Sequence, residues 1–95
     1  MAPFFEAVAL VLRAAPTCPA ATTCPQDNGC IYLSNGASLQ VNCGNDYYGG
    51  DLQLVQTSTL TGCMRVCATT SNCIGASYRG RDCYMKNVLN TAQAE

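Results

Sequence analysis

Two aspartates, Asp46 and Asp51, flank a short loop formed by residues 47–50, which read Tyr-Tyr-Gly-Gly. Paired carboxylates can hydrolyse glycosidic bonds or bind calcium. They can also accept backbone N–H hydrogen bonds in a tight glycine-rich loop, which is the interpretation we favour. The chain contains no His, the side chain that most often acts as a base at neutral pH. We therefore predict a protein that is not an enzyme and that uses no cofactor and no metal.

Side chains suited to binding lie in this loop and near the end of the chain. Tyr47 and Tyr48 are adjacent in the loop, and exposed tyrosine suits sugar stacking or a protein contact. Arg79, Arg81 and Lys86 form the basic cluster of the sequence. The simpler interpretation of this cluster is a solvated turn. The more specific alternative is a patch that binds sulfated or acidic sugars.

The composition is rich in cysteine and poor in charge. The chain has 8 Cys among 95 residues, 12% charged residues and a net charge of −1. A chain this short buries a modest core, and disulfides commonly supply the missing stability. The cysteines therefore predict four disulfides in an oxidising compartment, and hence a secreted protein. The charge gives no footprint for nucleic acid, and no apolar run reaches the roughly 18 residues of a membrane span.

Other uses of the cysteines are less well supported. Cys63, Cys67, Cys73 and Cys83 could in principle bind zinc, but paired Cys-x2-Cys knuckles are absent from the sequence. The absence of Cys-x-x-Cys also argues against thiol exchange catalysis. Eight cysteines allow roughly a hundred pairings, so their spacing alone does not assign the disulfides.

The first twelve residues are apolar and admit two interpretations. They resemble a degenerate secretion signal, because the apolar run is short and the basic start is missing. Alternatively they belong to the mature chain as an arm that packs on its own sheet or on a neighbouring copy, because exposed apolar side chains need to be covered. The candidate arm residues are Phe4, Phe5, Val8, Val11 and Leu12.

Hydrophobic periodicity predicts an α+β fold. Alternation and the Asn35-Gly36 turn predict a hairpin, and apolar residues spaced three and four apart from Leu60 to Cys67 predict a helix capped by Ser58 or Thr59. Cys63 and Cys67 then lie on one helix face. The predicted strands are residues 30–34, 38–43, 52–56, 73–78 and 82–86, the predicted helix is 59–68, and residues 44–51 are a predicted loop. Together they predict an antiparallel sheet with one helix packed on it.

The second half of the chain carries the most specific pattern. It combines Cys63-Met-x-x-Cys67-Ala68, Cys73-Ile-Gly-Ala-Ser-Tyr78 and Cys83-Tyr-Met-Lys86 with the earlier segments Cys24-Pro25, Val41-Asn-Cys43-Gly44-Asn-Asp46 and Gly49-Gly-Asp-Leu52. Over residues 24–87 this combination resembles the PAN/apple domain, in its fungal extracellular type. The predicted order of strands and helix agrees with that resemblance.

The resemblance implies disulfide pairs and a class of function. The implied pairs are Cys63 with Cys83, Cys67 with Cys73, Cys24 with Cys43, and, by remaining partners, Cys18 with Cys30. PAN/apple domains mediate protein–carbohydrate or protein–protein contacts and are not catalytic by themselves.

We therefore predict a secreted, non-catalytic binding module whose partner is an extracellular glycan or protein. The alternative is a self-assembling extracellular subunit of a fibre or coat, in which the apolar arm adds to the sheet of a neighbouring copy. The predicted organisation is an apolar segment at 1–15, a linker at 16–23, the PAN/apple-like domain at 24–87 and a tail at 88–95.

Overall fold

The computed structural model describes residues 5–11, 16–90 and 92–94. Its elements are β1 (Glu6–Leu10), β2 (Ile31–Ser34), β3 (Ala37–Cys43), β4 (Asn45–Tyr47), β5 (Asp51–Gln56), α1 (Leu60–Thr69), β6 (Gly75–Arg79), β7 (Asp82–Lys86) and β8 (Ala92–Ala94). Six strands form an antiparallel sheet in the order β2-β3-β1-β6-β7-β5, and β4 pairs with β8 in a separate ribbon. The structure confirms the predicted α+β class, in which one helix packs on an antiparallel sheet.

The helix begins and ends where the chain offers caps. The side chain of Thr59 accepts a hydrogen bond from the backbone N–H of Gly62 at 3.0 Å, which satisfies one of the free donors of the first turn. Cys63, Met64 and Cys67 face the sheet and are almost completely buried. After the helix, Asn72 adopts a positive φ of 70°, which Asn tolerates better than most residues.

The core lies between α1 and one face of the sheet. Directly paired strand residues point to the same face, so Val8, Val41, Ala76 and Met85 form a row beneath the helix. All four have 0–1% exposure. The helix therefore gains its stability by burying its apolar stripe on this row.

Four disulfides surround this core. They join Cys18 to Cys30, Cys24 to Cys43, Cys63 to Cys83 and Cys67 to Cys73, with Cα–Cα distances of 4.9–5.7 Å, and they match the pairs that the resemblance implies. The described residues include no free cysteine. Zinc is therefore not the role of the last four cysteines, since each of their thiols is used in a disulfide.

Residues 6–10 take part in the same sheet as the predicted domain. β1 lies between β3 and β6 and pairs with both, and Ala7 and Val8 are completely buried. Its alternation of small and apolar residues suits a strand covered on both faces. The sheet thus extends beyond the predicted boundary at residue 24. Of the candidate arm, Phe4 and Leu12 lie outside the described residues, and Val11 lies just after β1 with its N–H bonded to the carbonyl of Ser38.

The prediction that residues 44–51 form a loop is wrong, because this segment contains the strand β4. Asn45, Asp46 and Tyr47 pair with β8, a partner that local sequence does not reveal. Among the described residues, no helix has both the length and the apolar character needed to cross a membrane.

Candidate functional site

The candidate site lies on the sheet face opposite α1. Strand register places Ala7, Ser77, Tyr84 and Leu54 in one row across β1, β6, β7 and β5. Because side chains alternate along a strand, this row points away from the helix. We call this surface the open face.

Small residues at the centre of the open face allow other segments to lie close to it. The backbone N–H of Tyr47 in β4 donates a hydrogen bond to the Ser77 hydroxyl at 2.9 Å, and Ser77 is fully buried. A Cβ atom on Gly75 would lie 2.6 Å from the backbone carbonyl oxygen of Val8 and 2.8 Å from the Leu89 side chain, so glycine allows β1 and Leu89 to approach β6 closely here. The strand β4 and residues 87–90 therefore form raised borders on the open face.

The loop between β4 and β5 is held by residues 87–90. Gly49 and Gly50 both have positive φ, 68° and 69°, a conformation that favours glycine. The Asn87 N–H donates to the Gly50 carbonyl at 3.1 Å, and the Asn90 side chain donates to the Tyr48 carbonyl at 2.6 Å. These bonds fix the loop that the sequence places between the two aspartates.

Strand β4 and the loop after it border a solvent-open pocket of about 200 Å³ on this face. This volume is below the roughly 300–1,000 Å³ of pockets that hold drug-sized ligands, so it fits a group of the size of one sugar ring. The pocket is lined by Phe5, Asp46, Tyr47, Tyr48, Gly49, Asp51, Tyr84 and Lys86.

Two aromatic rings form one wall of the pocket. The centroids of Phe5 and Tyr84 are 6.4 Å apart with an angle of 50° between the planes. The Arg79 guanidinium lies 5.2 Å from the centroid of Phe5, and the Lys86 ammonium lies 5.9 Å from that of Tyr84. Such ring faces attract cations and the C–H bonds of sugars.

Lys86 and Asp51 form an ion pair at the edge of the pocket. Asp51 lies directly opposite Lys86 in the pairing of β5 with β7, and the Lys86 Nζ donates to Asp51 Oδ1. The Lys86 side chain is 4% exposed and the Asp51 side chain 58% exposed. The cation is therefore buried and neutralised, while the carboxylate also faces solvent.

Asp46 contrasts with Asp51 because it has no partner. Asp46 is 8% exposed, and its side chain makes no hydrogen bond or ion pair with any residue that the structure describes. The expectation that both aspartates accept backbone N–H bonds is thus wrong for Asp46, and Asp51 bonds a lysine instead. The cause is β4, which places Asp46 in a strand rather than in a tight turn.

Tyr47 adds a neutral hydroxyl to the lining. Burial raises the pKa of Tyr47 above its ordinary value of 10.0, so the phenol stays protonated at neutral pH. A protonated phenol can both donate and accept hydrogen bonds.

The structure brings together only part of the predicted site. Tyr47, Tyr48 and Lys86 line the pocket, and Arg79 lies beside it on Phe5. Arg81 is exposed in the β6–β7 turn and does not line the pocket. Of the three predicted cations, Lys86 alone is in the pocket lining, and a role of Arg79 and Arg81 as contacts stays a prediction.

Sequence reasoning missed the two aromatic residues of the wall as site residues. Phe5 belongs to the predicted arm, and Tyr84 falls within the predicted strand at residues 82–86. Alternation along β7 places Tyr84 and Lys86 on one face, a signal that was present in the sequence. The position of Phe5 depends on the pairing of β1 with β6, which no local pattern reveals.

The described residues contain no group of three or more His, Cys, Asp or Glu side chains that could hold a metal ion. The pocket instead offers aromatic faces, a paired lysine and two carboxylates, a set suited to holding a polar organic ligand. Comparisons of the chain with protein-family models, with curated proteins and with solved structures give no match.

Proposed function

We propose that the protein is an extracellular, non-catalytic binding module that holds one sugar ring of a glycan in the open-face pocket. The observation that carries this proposal is a pocket lined both by the aromatic pair Phe5 and Tyr84 and by Asp46, whose carboxylate has no partner among the described residues. Aromatic rings pack against the C–H face of a sugar, and a carboxylate accepts hydrogen bonds from its hydroxyl groups.

Two further features support this proposal. Four disulfides are typical of proteins that work in an oxidising, extracellular compartment. The helix on an antiparallel sheet and the disulfide pairs agree with the resemblance to PAN/apple domains, which we retain as a proposal. That family, in turn, is associated with carbohydrate and protein contacts rather than catalysis.

A glycan array with the full oxidised chain tests the function. We expect retention of a limited set of glycans by the wild type, and loss of that retention in Tyr84→Ala. Leu33→Ala is the matched control, because Leu33 is 61% exposed on β2, outside the pocket. Equal retention by all three proteins would place binding elsewhere, and no retention by any of them would refute glycan binding.

A second candidate function is self-association through a sheet edge. β2 and β5 are the two edge strands, and residues 16–18 partly cover β2 through the bridge between Thr17 and Ile31. β5 has no such cover among the described residues, and its Leu54 is 53% exposed. An open edge of this kind is a surface for pairing with a second copy.

Assembly through the first strand would need a different arrangement. β1 is hydrogen-bonded on both sides within its own chain, so it has no free edge to offer to a neighbour. Light scattering on the wild type and on Leu54→Lys tests the β5 edge. A concentration-dependent mass that the substitution abolishes would support self-association, and a monomer at every concentration would refute it.

A further inference from the structure

We propose that the sugar held in the open-face pocket carries a free, protonated amine, and that Asp46 binds this ammonium group. The inference rests on the proposed function and narrows it from glycans in general to amino sugars. It follows from which charged groups of the pocket remain unpaired once Lys86 and Asp51 have formed their ion pair.

Asp46 supplies the negative charge. Asp46 is 8% exposed and has no partner among the described residues, but none of their unpaired polar side-chain atoms is fully buried, so the Asp46 carboxylate oxygens stay in contact with solvent and accessible to a ligand. A ligand ammonium restores both a counter-charge and hydrogen-bond donors to this group. A neutral hydroxyl restores a hydrogen bond but leaves the charge uncompensated.

The cation that lines the pocket is already neutralised by the chain itself. The Lys86 ammonium is buried and paired with Asp51, and the Arg79 guanidinium lies over the ring of Phe5. A carboxylate or sulfate on the ligand would meet Asp46 and the exposed side of Asp51 instead. The pocket therefore disfavours the acidic sugars that the basic residues suggest in the sequence.

The aromatic wall favours the same ligand. The rings of Phe5 and Tyr84 lie 5.2 and 5.9 Å from the Arg79 and Lys86 cations, and such ring faces attract positive charge. N-acetylation would replace the ammonium by a larger neutral amide. The pocket of about 200 Å³ is open to solvent, so the preference for the free amine over the acetamide rests on charge rather than on space.

Calorimetric titration of the full oxidised chain with three soluble oligosaccharides tests the inference. The probes are β-1,4-linked oligomers of glucosamine, of N-acetylglucosamine and of a hexuronic acid, in mildly acidic buffer where the amine is protonated. We expect the glucosamine oligomer to bind at least about tenfold more tightly than the other two, since charge-assisted hydrogen bonds are about twice as strong as neutral ones.

Substitutions assign the preference to Asp46. We expect Asp46→Asn to weaken binding of the glucosamine oligomer by about 10- to 100-fold, the range for loss of a hydrogen bond to a charged group. Asp82→Asn removes the same charge outside the pocket, where Asp82 accepts a bond from Gln56 at 3.1 Å, and we expect its affinity to match the wild type. We expect Asp46→Asn to fold like the wild type, because the Asp46 carboxylate makes no hydrogen bond or ion pair with a described residue that the substitution would remove.

The outcomes separate the two proposals. Equal binding of the acetylated and free-amine oligomers, or equal losses in Asp46→Asn and Asp82→Asn, would overturn the amine inference and leave glycan binding intact. Tighter binding of the acidic oligomer would also overturn it. Failure of all three oligomers, together with an empty glycan array, would overturn both proposals.

Discussion

Lys86 lies directly opposite Asp51 across β7 and β5, and the two side chains form an ion pair of unequal burial. The Lys86 side chain is 4% exposed, whereas that of Asp51 is 58% exposed. Leaving the lysine unpaired should therefore cost more free energy than leaving the aspartate unpaired. The ion pair neutralises the lysine that lines the pocket, so Lys86 provides no counter-charge for Asp46.

This asymmetry predicts unequal effects of the two single substitutions. Asp51→Asn leaves a buried ammonium without a carboxylate and should lower the free energy of unfolding by about 1–3 kcal/mol. Lys86→Met leaves an exposed carboxylate and replaces the buried stem with an apolar one, so its cost should stay within about 1 kcal/mol. Guanidinium titration with intact disulfides measures both.

The double substitution provides the control. Asp51→Asn combined with Lys86→Met should be more stable than Asp51→Asn alone, because no buried charge remains. If Lys86→Met proves the more damaging single change, the lysine contributes through packing rather than through its charge.

The second prediction concerns β1, the strand that completes the sheet. Val8 is fully buried between Val41 and Ala76, and Val8→Ala should lower the free energy of unfolding by about 1–3 kcal/mol through the cavity it leaves. Leu10→Ala is the matched control in the same strand, and because Leu10 is 44% exposed we expect a change within about 1 kcal/mol. Equal and small effects would show that β1 does not stabilise the sheet.

Sequence patterns predict the local elements well and the pairing between distant ones poorly. The helix around Cys63 and Cys67 and the hairpin at Asn35-Gly36 follow from periodicity and turn chemistry within a few residues. β1 and β4 are different, since each is short and gains its stability from a partner far along the chain. The apolar residues of β1 indicate burial, but they do not identify β3 and β6 as the strands that pair with it.

The same distinction explains what could be predicted of the pocket. Tyr47 and Tyr48 are identifiable because loop tyrosines commonly bind ligands. The environment of Asp46 depends on the pairing of β4 with β8 and on the hydrogen bond from Tyr47 to Ser77. These contacts join residues 30 or more positions apart, so the unpartnered carboxylate is visible only in three dimensions.

The third prediction concerns Gly50 in the pocket loop. Gly50 has a φ of 69°, and a Cβ atom here would overlap the carbonyl oxygen of Val88. Gly50→Ala should therefore displace the loop from residues 87–90 and weaken glycan binding. Gly44→Ala is the matched control, because Gly44 has a φ of 77° with open space around it, so only the backbone cost of about 1 kcal/mol applies.

Amide chemical shifts and binding measured on the two glycine variants distinguish the effects. We expect shift changes around residues 47–51 and 87–90 and reduced affinity only in Gly50→Ala. If both variants bind like the wild type, the loop geometry is not needed by the ligand.

The fourth prediction compares two disulfides anchored on α1. Cys63–Cys83 closes a separation of 20 residues and Cys67–Cys73 one of 6. Loop-closure entropy predicts a loss of about 3.3 kcal/mol for the first and about 2.2 kcal/mol for the second when each pair is replaced by alanine. Chemical denaturation of the two double variants measures the difference. The reverse order would show that packing of the sulfur atoms outweighs the constraint on the unfolded chain.

The last prediction is a pH dependence that arises from Glu6. Glu6 opposes Cys43 and Tyr78 in the sheet, and its side chain makes no hydrogen bond or ion pair with a described residue. Burial raises the pKa of Glu6 above its ordinary value of 4.5. The folded state thus binds the proton more tightly than the unfolded state, and ionisation opposes folding.

The sign of this effect distinguishes Glu6 from a carboxylate in a salt bridge. Glu6→Gln mimics the protonated form, so wild type and variant should have similar stability well below pH 4.5. As the pH rises through 4.5 and then through the raised pKa of the folded state, the wild type should become progressively less stable than the variant. Above that range the difference should stay constant. Thermal unfolding of both proteins over an acidic to neutral pH series measures it, and a wild type that gains stability relative to Glu6→Gln with rising pH would show that Glu6 has a cationic partner in solution.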